Sequence, residues 1–193
     1  MMDFDQIIST SVSGNPIQIG CIRGAHKVLF IKTGQGGSIR GYEDKYIRLA
    51  YAIRQKYGYA VLVSATVSDK EAVFQKEMQI VDDFFENVPY EIYYLGVSKG
   101  GLIGCWYGSQ YPQIKRMMVL NAPLMINFYN RTVPAIQKFA PHSLTMIYGS
   151  LDPSYRYLSF AEKYAQVKVI ENADHNLRGM EHIFAELVEQ LLQ

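Results

Sequence analysis

The sequence predicts an α/β fold with a mostly parallel central sheet, helices on both faces and an antiparallel hairpin leading in. Three observations predict it. Short aliphatic and aromatic segments alternate with amphipathic ones along the chain. A serine between glycines, Ser98 in Gly96-Val97-Ser98-Lys99-Gly100, stands where an apolar strand gives way to an apolar helix. Two later strands end in loops carrying Asp152 and His175, and loops at the same ends of parallel strands converge. Residues 1–193 form a single domain, long enough to bury ~70% of its unfolded surface without disulfides or metals.

The elements follow in order. Residues 7–12 and 17–22, hinged at Ser13-Gly14-Asn15-Pro16, read as the hairpin. Residues 26–32 form a strand that runs into Thr33-Gly34-Gln35-Gly36-Gly37-Ser38. An amphipathic helix is expected over 44–57, capped by Tyr42-Glu43-Asp44 and stopped by Gly58. Residues 59–67 are rich in β-branched and aromatic side chains and read as a buried strand. A second helix over 69–87 carries Val73, Phe74, Met78, Val81, Phe84 and Phe85 on one side. Strand 91–95 precedes the Ser98 turn, and helix 102–111 follows it, closed by Pro112. Strands over 115–120, 143–148 and 166–170 and a last helix over 179–192 complete the alternation. No internal repeat, low-complexity tract or long linker interrupts it.

The chemistry concentrates at Ser98. A nucleophile on a sharp strand-to-helix turn is pushed out above the sheet, and the helix that follows aims its free N–H groups at the same spot. Serine, then Asp152, then His175 is the chain order of one particular hydrolase architecture. On the elbow, the Gly149-Ser150-Leu151-Asp152 loop and the Asp174-His175 loop, the sequence resembles the α/β-hydrolase superfamily over roughly residues 17–192. The resemblance implies a Ser98-His175-Asp152 triad. It also implies an oxyanion hole made by the backbone N–H groups of Gln35 and Lys99, with Gly36 the alternative to Gln35. Many members carry His-Gly in that loop where this chain has Thr33-Gly34, but the donor is main chain.

Within that scheme Ser98 attacks as His175 takes its proton, and Asp152 holds the imidazole in the useful tautomer. Some relatives take their acid from the preceding strand, but this chain reads Leu120-Asn121-Ala122-Pro123 there, without a carboxylate. Asp174 adjoins His175, and adjacent residues rarely orient each other's side chains. His26 begins a strand, His142 precedes one and His182 sits inside the last helix, so structural roles are expected of them. Other readings of the glycines fail. A dinucleotide fingerprint starting at Gly34 wants a small residue where Ile39 stands, and no Gly-Lys-Ser or Gly-Lys-Thr exists for a phosphate loop.

In larger relatives a cap is inserted after the sixth strand. Here residues 124–141 leave room for one short helix over 132–139, so the site should be open. Its rim would be Met125, Ile126, Phe128, Tyr129 and Tyr155-Arg156-Tyr157, unless these aromatics are core. Net charge is +1, from 19 basic and 18 acidic residues, which gives no footprint for nucleic acid or a membrane. The four histidines lack metal-ligand spacing and Cys21 and Cys105 form no Cys-x-x-Cys, so neither a metal nor a cofactor is expected. Two cysteines that do not demand pairing and an acidic start without a signal segment point to a reducing cytoplasm. The reading is a lidless serine hydrolase for a small acyl substrate, a carboxylic ester or thioester. A peptidase or acyltransferase could use the same triad, and a non-catalytic binding protein on this fold would misplace one of its members. The oligomeric state is not legible.

Overall fold

The structure, a computed structural model, describes residues 2–66, 68–86 and 88–193. Its first two strands, β1 (Gln6–Val12) and β2 (Asn15–Ile22), pair antiparallel from Gln6 opposite Cys21 to Val12 opposite Asn15. The turn between them is two residues, Ser13 and Gly14, both at positive φ (48° and 75°). Such a turn matches the right-handed twist of its strands. Asn15 and Pro16 were expected in the hinge and instead belong to β2, with Pro16 opposite Ser11. β2 meets its other neighbour only from Ile19 to Ile22, so the missing N–H of Pro16 lies on an edge.

The remaining strands are β3 (Ala25–Lys32), β4 (Tyr59–Ser64), β5 (Glu91–Val97), β6 (Ile114–Leu120), β7 (Leu144–Gly149) and β8 (Gln166–Ile170). All eight form one sheet in the order β1-β2-β4-β3-β5-β6-β7-β8, parallel from β4 to β8. The helices are α1 (Lys45–Tyr57), α2 (Glu71–Phe84), α3 (Lys99–Tyr107), α4 (Val133–Ile136), α5 (Leu158–Ala161) and α6 (Glu181–Leu192). Alternate side chains of each strand point to opposite faces. Phe30, Leu62, Tyr94, Val119 and Met146 join the core shared with α2 and α3. Leu29, Ile31, Val63, Leu95 and Leu120 join the core shared with α1 and α6. Both faces of the sheet are therefore buried, as a parallel sheet requires.

Several boundaries differ from the sequence reading for local reasons. The strand expected over 59–67 ends at Ser64, and Val67 lies outside the described residues, as does Asn87 at the end of the second expected helix. Asp44 does not cap α1. It sits at φ 59° and its carboxylate pairs with Arg40 at 2.8 Å. The C-terminal stop holds, with Gly58 at φ 72° donating to the Arg54 carbonyl. The helix expected over 102–111 begins at Lys99 and ends at Tyr107, with a 3₁₀ turn over Gly108–Gln110. Its first turn, Lys99-Gly100-Gly101, has no apolar periodicity to announce it. The helix expected over 132–139 is one π turn, Phe128–Thr132, followed by the single turn α4. Thr132 fixes that junction by accepting from Trp106 Nε1 at 2.9 Å and donating to the Ile126 carbonyl at 3.0 Å. Cys21 and Cys105 are buried and unpaired, and desolvation pushes both thiols up to about 12. Among the described residues no helix is long and apolar enough to cross a membrane.

Candidate active site

Ser98 leaves the end of β5, the strand near the middle of the sheet, at φ 50° and ψ −121°. Side chains rarely adopt that backbone, and such strain persists only where the surroundings hold it. Here they do. The Ser98 N–H donates to the Leu120 carbonyl at 2.7 Å, and its carbonyl accepts from Leu102 at 3.1 Å. The flanking glycines are needed for contact. A Cβ on Gly96 would fall 2.5 Å from the Gly101 Cα, and one on Gly100 would fall 2.2 Å from the Lys32 carbonyl oxygen. Lys99 opens α3, so its N–H has no carbonyl within the helix to bond.

The other two expected residues come to this point from separate loops. After β7, the Asp152 N–H folds back on the Gly149 carbonyl at 3.0 Å, and Oδ1 accepts from the Ser154 N–H at 2.6 Å. After β8, the loop is tied to the first by Leu151 N–H to the Ala173 carbonyl at 3.0 Å and Asn172 N–H to Ser150 Oγ at 2.8 Å. Asp152 Oδ2 then accepts from His175 Nδ1. A carboxylate only accepts, so Nδ1 carries the hydrogen and Nε2 is the free acceptor. Nε2 lies 2.9 Å from Ser98 Oγ. The Asp152 side chain is fully buried, whereas that of His175 is 41% exposed. Ser98, Asp152 and His175 thus form one continuous hydrogen-bonded line.

Asp174 does not compete for the imidazole. Its Oδ1 accepts from the Asn176 and Arg178 N–H groups at 2.9 and 3.1 Å, and these backbone bonds hold its carboxyl below the usual range. His142 bonds Gln166, His26 lies in β3 near Phe85, and His182 is exposed on α6.

The loop after β3 lies against the serine. A Cβ on Gly34 would meet Ser98 Cβ at 2.9 Å and Oγ at 3.5 Å. Gly37 N–H donates to the Gly34 carbonyl at 3.1 Å, which leaves Gln35 and Gly36 at the corners of a tight turn with Gly36 at φ 72°. Neither corner N–H is consumed by that bond. Of the residues expected at the rim, Tyr129 is 71% exposed and Ile126 49%, and Leu151, next to Asp152, is 66% exposed. Phe128, expected at the rim, is buried in the core against Phe160, while Leu151 was not expected there.

Asn121 is the residue that sequence reasoning passed over. It follows β6, is buried and sits at φ 49°. Its Oδ1 accepts from the Gly149 N–H at 2.8 Å, and its Nδ2 donates to the His175 carbonyl at 2.9 Å and the Asp174 carbonyl at 3.3 Å. One amide therefore joins the roots of the acid and histidine loops. Its local signal was an asparagine directly after an apolar strand, a position suited to left-handed backbone.

No family model matches the chain, and no curated protein matches it in sequence. Solved structures do match in shape. Est1E from Butyrivibrio proteoclasticus is 14% identical with a TM-score of 0.74, over 96% of this chain and 97% of its own. An α/β serine hydrolase without a lid from Xanthomonas campestris is 11% identical with a TM-score of 0.69, over 97% and 93%. The thioesterase domain from the curacin biosynthetic pathway is 12% identical with a TM-score of 0.68, over 97% and 99%. The chain has the α/β-hydrolase fold, without a large cap between β6 and β7.

Proposed function

We propose that the protein is a serine hydrolase that cleaves a carboxylic ester or thioester of a small acyl substrate through a Ser98-His175-Asp152 triad. The observation that carries this reading is the unbroken line from the buried Asp152 carboxylate through the imidazole to Ser98 Oγ. In this scheme Nε2 takes the Ser98 proton as Oγ bonds to the substrate carbonyl carbon. The Asp152 carboxylate stabilises the imidazolium that results. The tetrahedral oxyanion accepts from the main-chain N–H groups of Lys99 and Gln35. Gln35 directly follows the residue packed on Ser98, which favours it over Gly36. His175 then returns its proton to the leaving oxygen or sulfur as the bond to carbon breaks. An acyl group remains on Ser98. Water attacks it while giving a proton to Nε2, and the acid leaves as Oγ regains its hydrogen.

The fold likeness to an esterase and to a thioesterase domain supports the substrate class. The half-exposed imidazole gives water direct access, which favours hydrolysis over transfer to another acceptor. A non-catalytic protein on this fold has no need of the aligned tautomer and strained serine. The buried free thiols of Cys21 and Cys105 fit a reducing compartment, and we assign the protein to the cytoplasm on that basis.

The test is reaction with a fluorophosphonate probe, with mass spectrometry to locate the adduct. Wild type is expected to carry it on Ser98 and Ser98→Ala to carry none. Esterase turnover in that variant is expected to fall by about 10⁶, the scale seen when a triad nucleophile is removed. A well-folded wild type without adduct would return the binding-protein reading to first place.

A further inference from the structure

Beneath the loop that carries Gly34 and Gln35 lies a pair of charges without solvent contact. Lys32 ends β3 and Ser64 ends β4, opposite each other in the parallel register. Glu77 comes down on them from α2, where it interrupts an otherwise apolar face of Phe74, Met78 and Val81. The Lys32 and Glu77 side chains are both 0% exposed. Lys32 Nζ donates to both Glu77 carboxylate oxygens, at 2.7 and 2.6 Å. Ser64 Oγ donates to the same carboxylate and accepts from the Thr66 N–H at 3.2 Å. The Ser64 carbonyl holds the Thr33 N–H at 3.0 Å. Burial pulls the Lys32 ammonium down from its ordinary value, against the opposing pull of Glu77.

Such a pair is a poor device for stability, because apolar residues of similar volume in place of a buried ion pair are often neutral or better. What it supplies is direction. Three short bonds fix the ends of β3 and β4 and the middle of α2 in one arrangement directly below Thr33. The carbonyls of Lys32 and Thr33 press in turn on Gly100, 2.2 and 2.6 Å from where a Cβ would stand in the first turn of α3. The pair therefore sits at the joint between the two segments that carry the oxyanion N–H groups.

The geometry points to Lys32 and Glu77 as positioning residues that set the Gln35 loop at a fixed distance from the Lys99 N–H, so that both donors reach one oxyanion. The inference rests on the reading of Ser98 as nucleophile. Neither side chain touches substrate. Their effect falls on the transition state, because the two N–H donors are aimed at the oxyanion and not at the ground-state carbonyl oxygen.

The experiment replaces both charges at once, Lys32→Met with Glu77→Met in the full chain, and compares it with wild type on a p-nitrophenyl ester and a fluorophosphonate. The expected result is a folded protein with a melting temperature at or above that of wild type and KM within about twofold. Its kcat and its rate of Ser98 labelling are both expected to be lower by about ten- to a hundredfold. A purely structural role would move the melting temperature and leave kcat of the folded protein alone. A folded double variant with wild-type kcat overturns the inference. Should that variant fail to fold, Ser64→Ala carries the test, since it leaves both charges paired. A several-fold drop in kcat at constant KM supports the inference, and no drop overturns it. Wild type that neither turns over nor labels overturns the reading of Ser98 as well. Wild type that labels no faster than the double variant overturns this inference alone.

Discussion

On the β6–β8 side of Ser98, loops are joined by main-chain bonds and by the amide of Asn121, all of them neutral donors and acceptors. On the β3–β4 side the corresponding joint is a fully buried ammonium and carboxylate. The two sides also hold different kinds of group. The side joined by neutral bonds carries the Asp152 carboxylate and the imidazole, which changes charge in the proposed reaction and is 41% exposed. The charged side carries only main-chain N–H groups, which keep one state throughout. The imidazole already has the buried Asp152 carboxylate on Nδ1, and the Asn121 amide orients its loop without adding a second charge. The comparison teaches that the loops on the imidazole side are tied together by dipoles, and the strand ends on the other side by ions.

The sharpest test of the neutral side is Asp152→Asn, which keeps its shape and removes the carboxylate. Turnover is expected to fall by about 10⁴ with little change in folding, because the wrong imidazole tautomer is then favoured. Steady-state kinetics together with a melting curve would show it, and full activity would remove Asp152 from the triad. Next comes Asn121→Leu, similar in size but unable to bond. It strands the buried Gly149 N–H and two carbonyls, so urea unfolding should register a loss of about 1–3 kcal/mol. Turnover should fall roughly tenfold or more as the acid and histidine loops lose their common root. A stability loss with kcat unchanged would break the comparison, since the amide would then hold the fold and not the imidazole.

The smallest effect is expected at Asp174→Asn. Its carboxyl is held below the ordinary carboxylate range chiefly by backbone N–H bonds, so it favours the folded state when ionised. That contribution is present at neutral pH and is lost as pH falls through the depressed folded value. The stability gap between wild type and variant should therefore be slight at pH 7 and close in acid, with kcat within about twofold of wild type throughout. The residue is largely solvated, and screening keeps such a term small.

Much of this site was legible because its signals are local. The strand, the glycine-flanked Ser98 and the apolar helix are contiguous, and Asp152 and His175 each stand directly after a strand. The order of elements and both core faces followed from periodicity. What escaped depends on long-range contact. Glu77 lies 45 residues from Lys32, and a single acid on an apolar helix face reveals no partner by itself. Asn121 was noticed only as a position without a carboxylate, while its bonds reach across 28, 53 and 54 residues. Asp44 carries the right chemistry for a cap but is claimed by Arg40 instead. Phe128 was left between rim and core because an aromatic in a short loop looks the same whether it faces water or, as here, Phe160.

One turn of π-helix and one turn of α-helix are all the helical structure between β6 and β7. A segment so short, pinned by Thr132 to Trp106, cannot swing over Ser98 as a door does. In the proposed reaction a substrate meets machinery that is already assembled, and no closing of this segment separates arrival from reaction. On that reading, discrimination between substrates falls to exposed side chains such as Leu151, beside Asp152, and the expected rim residues Ile126 and Tyr129. A hydrolase arranged as proposed would favour breadth of diet over fastidiousness.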